Sequence, residues 1–454
     1  MELAGERWHF MGVGGIGMSA LAEMAALRGA TVSGCDRESG RSTVSLAARG
    51  IDIRIGHDPA HAADADVLVY SSAIPADHPE RLAMRGRQIG RGELLAAFMD
   101  EAEVKVGVAG THGKTTTTWL LGQLLLGAGI DPTLYVGGVA PGLDRGNYRL
   151  GQGPFVSELD ESDGSFLLPQ LDVAAVANIE ADHLSHYGDF SSVQAAFRRY
   201  ADGVSDAGLL VAGLDDPGAA ALFSDHSGRK LSFGLTRSAD LHPVELVSGG
   251  GGSTFRAMLR GSELGVFHLP LHGIHNVKNA LAALGTAIEL GADVEALRGA
   301  LAGATGVGRR LERLGFVGQA VLYSDYAHHP TEVAAAIQAL RETTEGKILV
   351  AFQPHLFTRT RDNAEDFARA LARADSVMLL EIYPAREDPI PGVDSLMIVE
   401  RIRSFWETVD VSGPYTVDDI TAAVRRKAAG FSVVVMMGAG DIDAAARRLA
   451  REGA

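Results

Sequence analysis

Cysteine is almost missing from this chain: Cys35 stands alone among 454 residues. A single thiol excludes a disulfide framework and a thiolate metal cluster. Positive charge is also short. With 41 Lys and Arg against 57 Asp and Glu, the formal net charge is −16, which argues against nucleic acid or an anionic membrane as partner, since both need a basic face. Aromatics supply only 6% of the residues. No apolar run reaches about 18 residues, the length a membrane helix requires. The opening "MELAGERWHFMGVGG" has no basic stretch followed by an apolar core and a cleavage site, so it does not read as a signal peptide. The expectation is a soluble cytoplasmic protein with small-molecule partners, a monomer or weak homodimer.

What is present is ordinary for a folded chain. Hydrophobic residues make up 46% and charged residues 22%, enough apolar surface for several cores, over a length that suggests two to four domains. A recurring grammar of β-branched run, glycine turn and helical pattern predicts α/β architecture with doubly wound parallel sheets. "RWHFMGV" leads through Gly12 into "MSALAEMAALRG", and "VKVGVAG" leads into "TTTTWLLGQLLLGAG". The style changes near 230–272, where "KLSFGL", "HPVELVS", "STFRAML" and "LGVFHLPL" read as an antiparallel insertion or edge. Strand–helix alternation resumes beyond "LAGATGVGRRLERLG" at 301–315. Three units are expected: 1–101, 102–308 with a mixed sheet, and 309–454.

Two glycine turns carry chemistry. Gly12-x-Gly14-x-x-Gly17 follows a strand and opens a helix, the setting in which backbone N–H groups approach a diphosphate. Asp36 closes the next strand, where a ribose-binding carboxylate would sit. A tight strand–helix packing turn would look much the same. The second turn, "VAGTHGKTTTTWLL", has the Gly-Lys-Thr of a phosphate loop, but Val108 stands where the usual pattern has its first glycine. The shorter loop still supplies every group the mechanism needs. Gly110 and Gly113 flank Thr111 and His112, Lys114 brings positive charge, and Thr115 and Thr116 bring hydroxyls. A purely structural turn has no reason to put a lysine at the positive end of a helix dipole.

Two acidic strand ends lie downstream. "PFVSELDESDGSF" holds Glu158, Asp160, Glu161 and Asp163, and "AAVANIEADHLSHYG" holds Glu180, Asp182, His183 and His186. Either alone reads first as a solvated loop. Together, after a phosphate loop, they offer oxygen ligands for Mg²⁺ at the carboxyl edge of a sheet.

"GVGGIGMSALAE", "GTHGKTTTT", "ELDESDGSFL", "NIEADHLSHYGDF", "HGIHNVKNALAAL", "GVGRRLE" and "DYAHHPTEV", taken in order, resemble the Mur ligase family over nearly the whole chain. The resemblance implies an N-terminal Rossmann-like domain for a UDP-sugar, a central P-loop ATPase domain and a C-terminal Rossmann-like domain. It implies ATP- and Mg²⁺-dependent ligation of L-alanine to UDP-N-acetylmuramate through an acyl phosphate. Carried over by position, Gly14, Gly15, Ile16, Gly17, Ser71 and Ser72 would line the UDP-sugar. Gly110 through Thr116, His275, Asn276, Asn279, Arg309, Arg310 and Asp325 would hold ATP. Thr115, Glu158 and His183 would ligate the metal, with Lys114 and His183 as catalytic groups, although imidazole is an unusual partner for Mg²⁺. Without the resemblance, "HNVKN" reads as a helix cap with a buried amide.

Tyr326, His328 and Arg359 resemble the alanine pocket. The chain departs from the family there, with Leu356 in place of a common arginine and Ala327 in place of a common glycine. It also has no lysine between Lys114 and Lys230, where sister ligases carry a carbamylated one. Three rival readings remain: a recycling ligase that attaches a whole peptide, an NAD-dependent oxidoreductase built on the N-terminal glycine fingerprint, and a non-enzymatic, nucleotide-regulated binding module.

Overall fold

The computed structural model describes residues 3–143, 146–385 and 387–452. Its strands form three sheets, each ending at a glycine-rich or acidic turn. The first contains β1 (Arg7–Met11), β2 (Thr31–Asp36), β3 (Asp52–Ile55), β4 (Val67–Tyr70) and β5 (Arg87–Gly90) in the order β3-β2-β1-β4-β5. All four pairings are parallel. The order reverses between β1 and β4, which places a crevice at the carboxyl ends of these two strands. Gly12–Gly15 follow β1 there, and Ser71 and Ser72 follow β4.

The second sheet is built on β6 (Lys105–Ala109), β7 (Thr133–Tyr135), β8 (Tyr148–Arg149), β9 (Phe155–Glu158), β10 (Leu171–Val176), β11 (Val204–Gly213) and β12 (Arg229–Phe233), ordered β12-β11-β10-β6-β9-β7-β8. Only the β7–β8 edge is antiparallel. The order continues past β12 with β13 (Leu241–Gly249), β14 (Gly252–Leu259) and β15 (Ser262–Leu269). The antiparallel reading of 230–272 needs correcting at its start, because β12 and β13 pair in parallel through Phe233 and Leu241. The remaining links, 250–251 and 260–261, are too short for a crossover and suit hairpins.

The third sheet contains β16 (Glu312–Val317), β17 (Ala320–Asp325), β18 (Ile348–Phe352), β19 (Ser376–Leu380), β20 (Asp410–Tyr415) and β21 (Val433–Met437), in the order β16-β17-β21-β18-β19-β20. It is parallel except for β16 on β17. Its central strands β18, β19 and β21 are buried along their whole length because both faces are covered. Ile348, Val350 and Phe352 enter one core with Val433, Val435 and Met437. Leu349 and Ala351 enter the opposite core with Val434 and Met436, as the two-residue side-chain period of a strand demands.

By compactness the chain forms two units, one of residues 1–244, 257–265 and 278–301, the other of 245–256, 266–277 and 302–454. Within the first, one apolar core joins Trp8, Phe10 and Leu21 of the first sheet's layers to Tyr135, Phe155 and Phe166 of the second. Among the described residues, no helix is long and apolar enough to cross a membrane.

Candidate functional site

The helix Lys114–Gly127 starts directly after β6 through a four-residue turn. Val108 lies inside β6, buried and paired with Ala175 of β10 and Glu158 of β9. The position where the longer motif has a glycine is therefore strand in this chain, and the loop proper begins at Gly110. Two positions demand glycine. Gly110 has φ +134°, and a Cβ there would lie 3.1 Å from the Asn178 carbonyl. Gly113 caps the helix at φ +82°, where a Cβ would meet Asn279 Oδ1 at 2.4 Å.

Asn178, past the end of β10, fixes the loop's shape. Its side chain accepts from the His112 amide at 2.7 Å and donates to the His112 carbonyl at 3.0 Å. Its own carbonyl accepts from the Thr111 amide at 3.1 Å. The Glu180 amide donates to Thr111 Oγ1 at 2.8 Å. Thr116 is buried on the first helical turn, and Thr117 Oγ1 donates to Asn279 Oδ1 at 3.3 Å.

The Lys114 ammonium points inward, donating to the Gly110 carbonyl at 2.7 Å, the Thr111 carbonyl at 3.3 Å and Glu161 Oε2 at 2.8 Å. Burial pulls its pKa down, but Glu161, Asp160 and Glu158 outweigh burial and raise it. Thr115 Oγ1 donates to Glu158 Oε1 at 3.1 Å, and the Gly137 amide donates to Glu158 Oε2 at 2.7 Å. Burial raises Glu158 and Glu161 against the pull of Lys114. Asp160 resists burial, and Lys114 together with bonds from Ser162 holds it down to about 2. His183 sits in the left-handed region at φ 56°, its Nε2 3.8 Å from both Glu161 Oε1 and Asp182 Oδ2.

Lys114, Thr115, Glu158, Asp160, Glu161 and His183 thus form one cluster. Three carboxylates, Glu161 buried and Glu158 and Asp160 partly so, lie around one ammonium, and Glu161 Oε1 has no hydrogen-bond partner among the described residues. The oxygens of Thr115, Glu158, Asp160 and Glu161, with their excess negative charge, fit a divalent cation such as Mg²⁺, to which His183 would add one nitrogen. Sequence reasoning missed Asn178 as a site residue. Its only signal is an amide at a strand end, 66 residues from the backbone it grips.

The N-terminal glycine turn belongs to the same unit. The Gly12 and Val13 amides donate to the Cys35 carbonyl at 2.9 and 3.1 Å. Gly15 caps the helix Ile16–Leu27 and is exposed with Ile16. Asp36 accepts the Gly14 amide at 2.8 Å, so its carboxylate shapes the turn, and a Cβ on Gly14 would strike it. A Cβ on Gly17 would lie 2.5 Å from the Tyr135 hydroxyl. The Ser71 amide donates to the Met11 carbonyl at 3.3 Å, and Ser72 bonds to Asp163, which also pairs with Arg91 at 3.4 Å.

The second unit carries its own group of predicted residues. Asn276 donates to the His272 carbonyl at 2.8 Å, and the His275 ring packs on Gly273. Arg309 and Arg310 place their guanidinium groups 4.5 and 5.3 Å from the Tyr326 ring centre. Arg309 also donates to the Gly438 carbonyl at 2.6 Å, and Arg310 pairs with Glu332 at 3.3 Å. Both Asp325 oxygens accept backbone amides, Leu311 at 2.6 Å and Ala327 at 2.7 Å, and burial pushes this carboxyl up to about 6. Burial pushes His328 down to about 3, with Arg359 and His355 adding to the effect and Glu332 opposing it. Leu356 occupies φ +69° before the helix Phe357–Asp362 that bears Arg359.

Asp325 and His328 act on stability with opposite signs. The contribution of Asp325 is fully present below its unfolded value of 3.8 and is lost as pH rises through about 6. That of His328 is present above 6.5 and is lost as pH falls toward 3. Removing the imidazole should unmask the aspartate. In native-state hydrogen exchange of the β17 amides, His328→Asn is expected to gain on the wild type by up to about 1.4 kcal/mol per pH unit between pH 6.5 and 4. A difference independent of pH would show that His328 is not held neutral.

Comparison with known proteins agrees with this geometry. Residues 7–102 match the Mur ligase family catalytic domain, 155–287 the Mur ligase middle domain and 309–440 the Mur ligase glutamate ligase domain. A UDP-N-acetylmuramate–L-alanine ligase from Renibacterium salmoninarum is 43% identical over 444 residues, covering 96% of this chain and 93% of its own. One from Kineococcus radiotolerans is 44% identical over 406 residues, covering 87% and 86%. The crystal structure of UDP-N-acetylmuramate-alanine ligase from Thermotoga maritima superimposes with a TM-score of 0.84 at 28% identity, covering 98% of this chain and 99% of that one. With relatives at this identity along nearly its full length and three domain patterns in sequence, the chain belongs to the Mur ligase family.

Proposed function

We infer that this chain is an ATP-dependent ligase that joins L-alanine to UDP-N-acetylmuramate through an acyl phosphate. The observation that carries the reading is the Gly-Lys-Thr loop, whose Lys114 donates to Glu161 at 2.8 Å and whose Thr115 donates to Glu158 at 3.1 Å. The names of the relatives narrow it to the alanine-adding reaction over a recycling ligase. An oxidoreductase leaves Lys114 and its carboxylates without a role. We also propose that the working domains are 1–101 for the UDP-sugar, 102–308 for ATP and 309–454 for the amino acid, and that the reaction takes place in the cytoplasm.

In this reading the loop from Gly110 to Thr116 wraps the triphosphate, with the Thr111 and His112 amides held by Asn178 to fix its shape and the amides from Gly113 onward at the helix N-terminus binding the phosphates. That terminus contributes only about 1 kcal/mol, so the ammonium must do more. Lys114 exchanges its bond to Glu161 for the transferring phosphoryl group, whose charge it neutralises. Thr115, Glu158 and His183 would hold a magnesium ion, which supplies further neutralising charge to the phosphoryl oxygens. Asn279 orients the loop at Gly113, with His275, Asn276, Arg309, Arg310 and Asp325 completing the ATP set.

Gly14, Gly15, Ile16 and Gly17, with Ser71 and Ser72, bind the UDP-sugar on a turn held by Asp36. Tyr326, His328 and Arg359 receive the amino acid. His328, with a pKa of about 3, is too weak a base to deprotonate an ammonium and serves as a neutral hydrogen-bond partner. Arg359 is left to face the carboxylate. Arg359→Ala should raise the KM for alanine about tenfold or more while the KM for ATP moves little; equal effects on both would put the arginine elsewhere.

The deciding assay combines the purified chain with ATP, Mg²⁺ and UDP-N-acetylmuramate. Single amino acids, a tripeptide and NAD are offered in turn while phosphate and product mass are followed. Phosphate release that requires L-alanine is the expected result. Release with tripeptide alone, or nicotinamide turnover, would sink the reading.

A further inference from the structure

A second cluster of metal-ligating side chains lies in the N-terminal sheet, away from every residue used above for ATP. His9 on β1, Cys35 on β2, His61 on the 3₁₀ turn Pro59–Ala62 and Glu80 on the short helix Pro79–Ala83 converge on one point. One potential ligand atom from each lies within 4.8 Å of all the others. His9 Nε2 is 3.4 Å from Cys35 Sγ and 3.2 Å from Glu80 Oε1. Cys35 Sγ is 3.3 Å and His61 Nδ1 3.4 Å from the same oxygen. His9, Cys35 and Glu80 have no solvent exposure.

We propose that His9, Cys35, His61 and Glu80 form a closed, four-coordinate site for Zn²⁺ that fastens the N-terminal sheet beneath its glycine turn. Three lines of argument carry this. The first is distance. Zinc bonds of about 2.0–2.3 Å in a tetrahedron separate neighbouring ligand atoms by roughly 3.3–3.6 Å, and the four close separations fall at or just below that span.

The second is charge. Glu80 is a buried carboxylate whose partners among the described residues, His9, Cys35, His57 and His61, include no lysine or arginine, and a buried charge is stabilised by a compensating cation. One thiolate, one carboxylate and two neutral imidazoles around a dication sum to zero. A thiol becomes a zinc ligand by giving up its proton. Binding forms the zinc–sulfur bond and releases that proton to water.

The third is the surrounding shell. His9 Nδ1 lies 2.9 Å from Ser33 Oγ, the outer hydrogen bond that fixes a ligating imidazole's tautomer and aims Nε2 at a metal. His57 Nδ1 lies 2.9 Å from Glu80 Oε2 and orients the carboxylate in the same way. The side chains of His57 and His61 are 21% and 14% exposed, which gives an ion a route in.

Because Cys35 is the only cysteine, a cobalt titration of the full chain reads this site alone. An all-oxygen or imidazole site elsewhere binds Co²⁺ without thiolate-to-metal absorption in the near ultraviolet. Chelator-treated protein should develop that absorption to saturation at one equivalent of Co²⁺ and lose it to equimolar Zn²⁺. Cys35→Ser should abolish it, and Ser33→Ala should weaken zinc binding about 10–100-fold. No thiolate absorption in the wild type at saturating Co²⁺ would overturn the proposal without reliance on any variant. So would a band unaffected by His61→Gln and Glu80→Gln.

Discussion

Lys114→Met is expected to abolish ATP-dependent ligation, by about 10³-fold or more, while UDP-sugar binding to the first sheet survives. The same substitution should also destabilise the fold. Lys114 and Glu161 are both buried and meet at 2.8 Å. Removing one partner of a buried pair leaves the other charge unpaired and costs about 3–5 kcal/mol. The two effects can be separated. Lys114→Met with Glu161→Gln removes the stranded charge, so the double variant should recover most of the stability and none of the turnover. Recovery of turnover in the double variant would mean that the ammonium serves only to balance its neighbours. Unchanged turnover in the single variant would remove the ATP assignment altogether.

Gly113→Ala has the second largest expected effect. Left-handed backbone costs an alanine about 1–2 kcal/mol, and the added methyl would lie 2.4 Å from Asn279 Oδ1. Asn279 cannot yield without losing its bond from Thr117, so the loop itself must shift, and kcat/KM for ATP should fall about 10²–10³-fold. Gly129→Ala is the control. It lies just past the other end of the same helix at φ +76°, with nothing within 4 Å of a Cβ. That variant should lose about 1 kcal/mol of stability and keep its kcat/KM. Equal losses of activity in both would assign the Gly113 effect to helix stability rather than to the nucleotide seat.

The phosphate loop and the acidic strand ends are legible in the sequence because each is local: a turn, its lysine and the strand that feeds it lie within a few residues, whereas His183 as a metal ligand rests on the family resemblance alone, imidazole being an unusual partner for Mg²⁺. The shortened motif also resolves locally, since Val108 is an ordinary strand residue. Long-range pairings left no such mark. Asn178 acts through one amide on a backbone far along the chain. Edge strands such as Tyr148–Arg149 and Asp410–Tyr415 are too short or too polar to show a two-residue alternation. The His9, Cys35, His61 and Glu80 cluster draws one residue from each of four elements, so no motif spacing announces it. The parallel start of the 230–272 segment was hidden because a single residue pair sets its direction.

The contact at Gly17 has a consequence for protein engineering. The Tyr135 hydroxyl occupies the space of a missing Cβ there, and Asn147 reaches the Ile16 carbonyl at 2.8 Å. The first helix after β1 is therefore keyed at its base into residues at the edge strands of the second sheet. A chimera that borrows the leading hundred or so residues from a relative must import matching partners at positions 135 and 147, or it will inherit a seam that does not close.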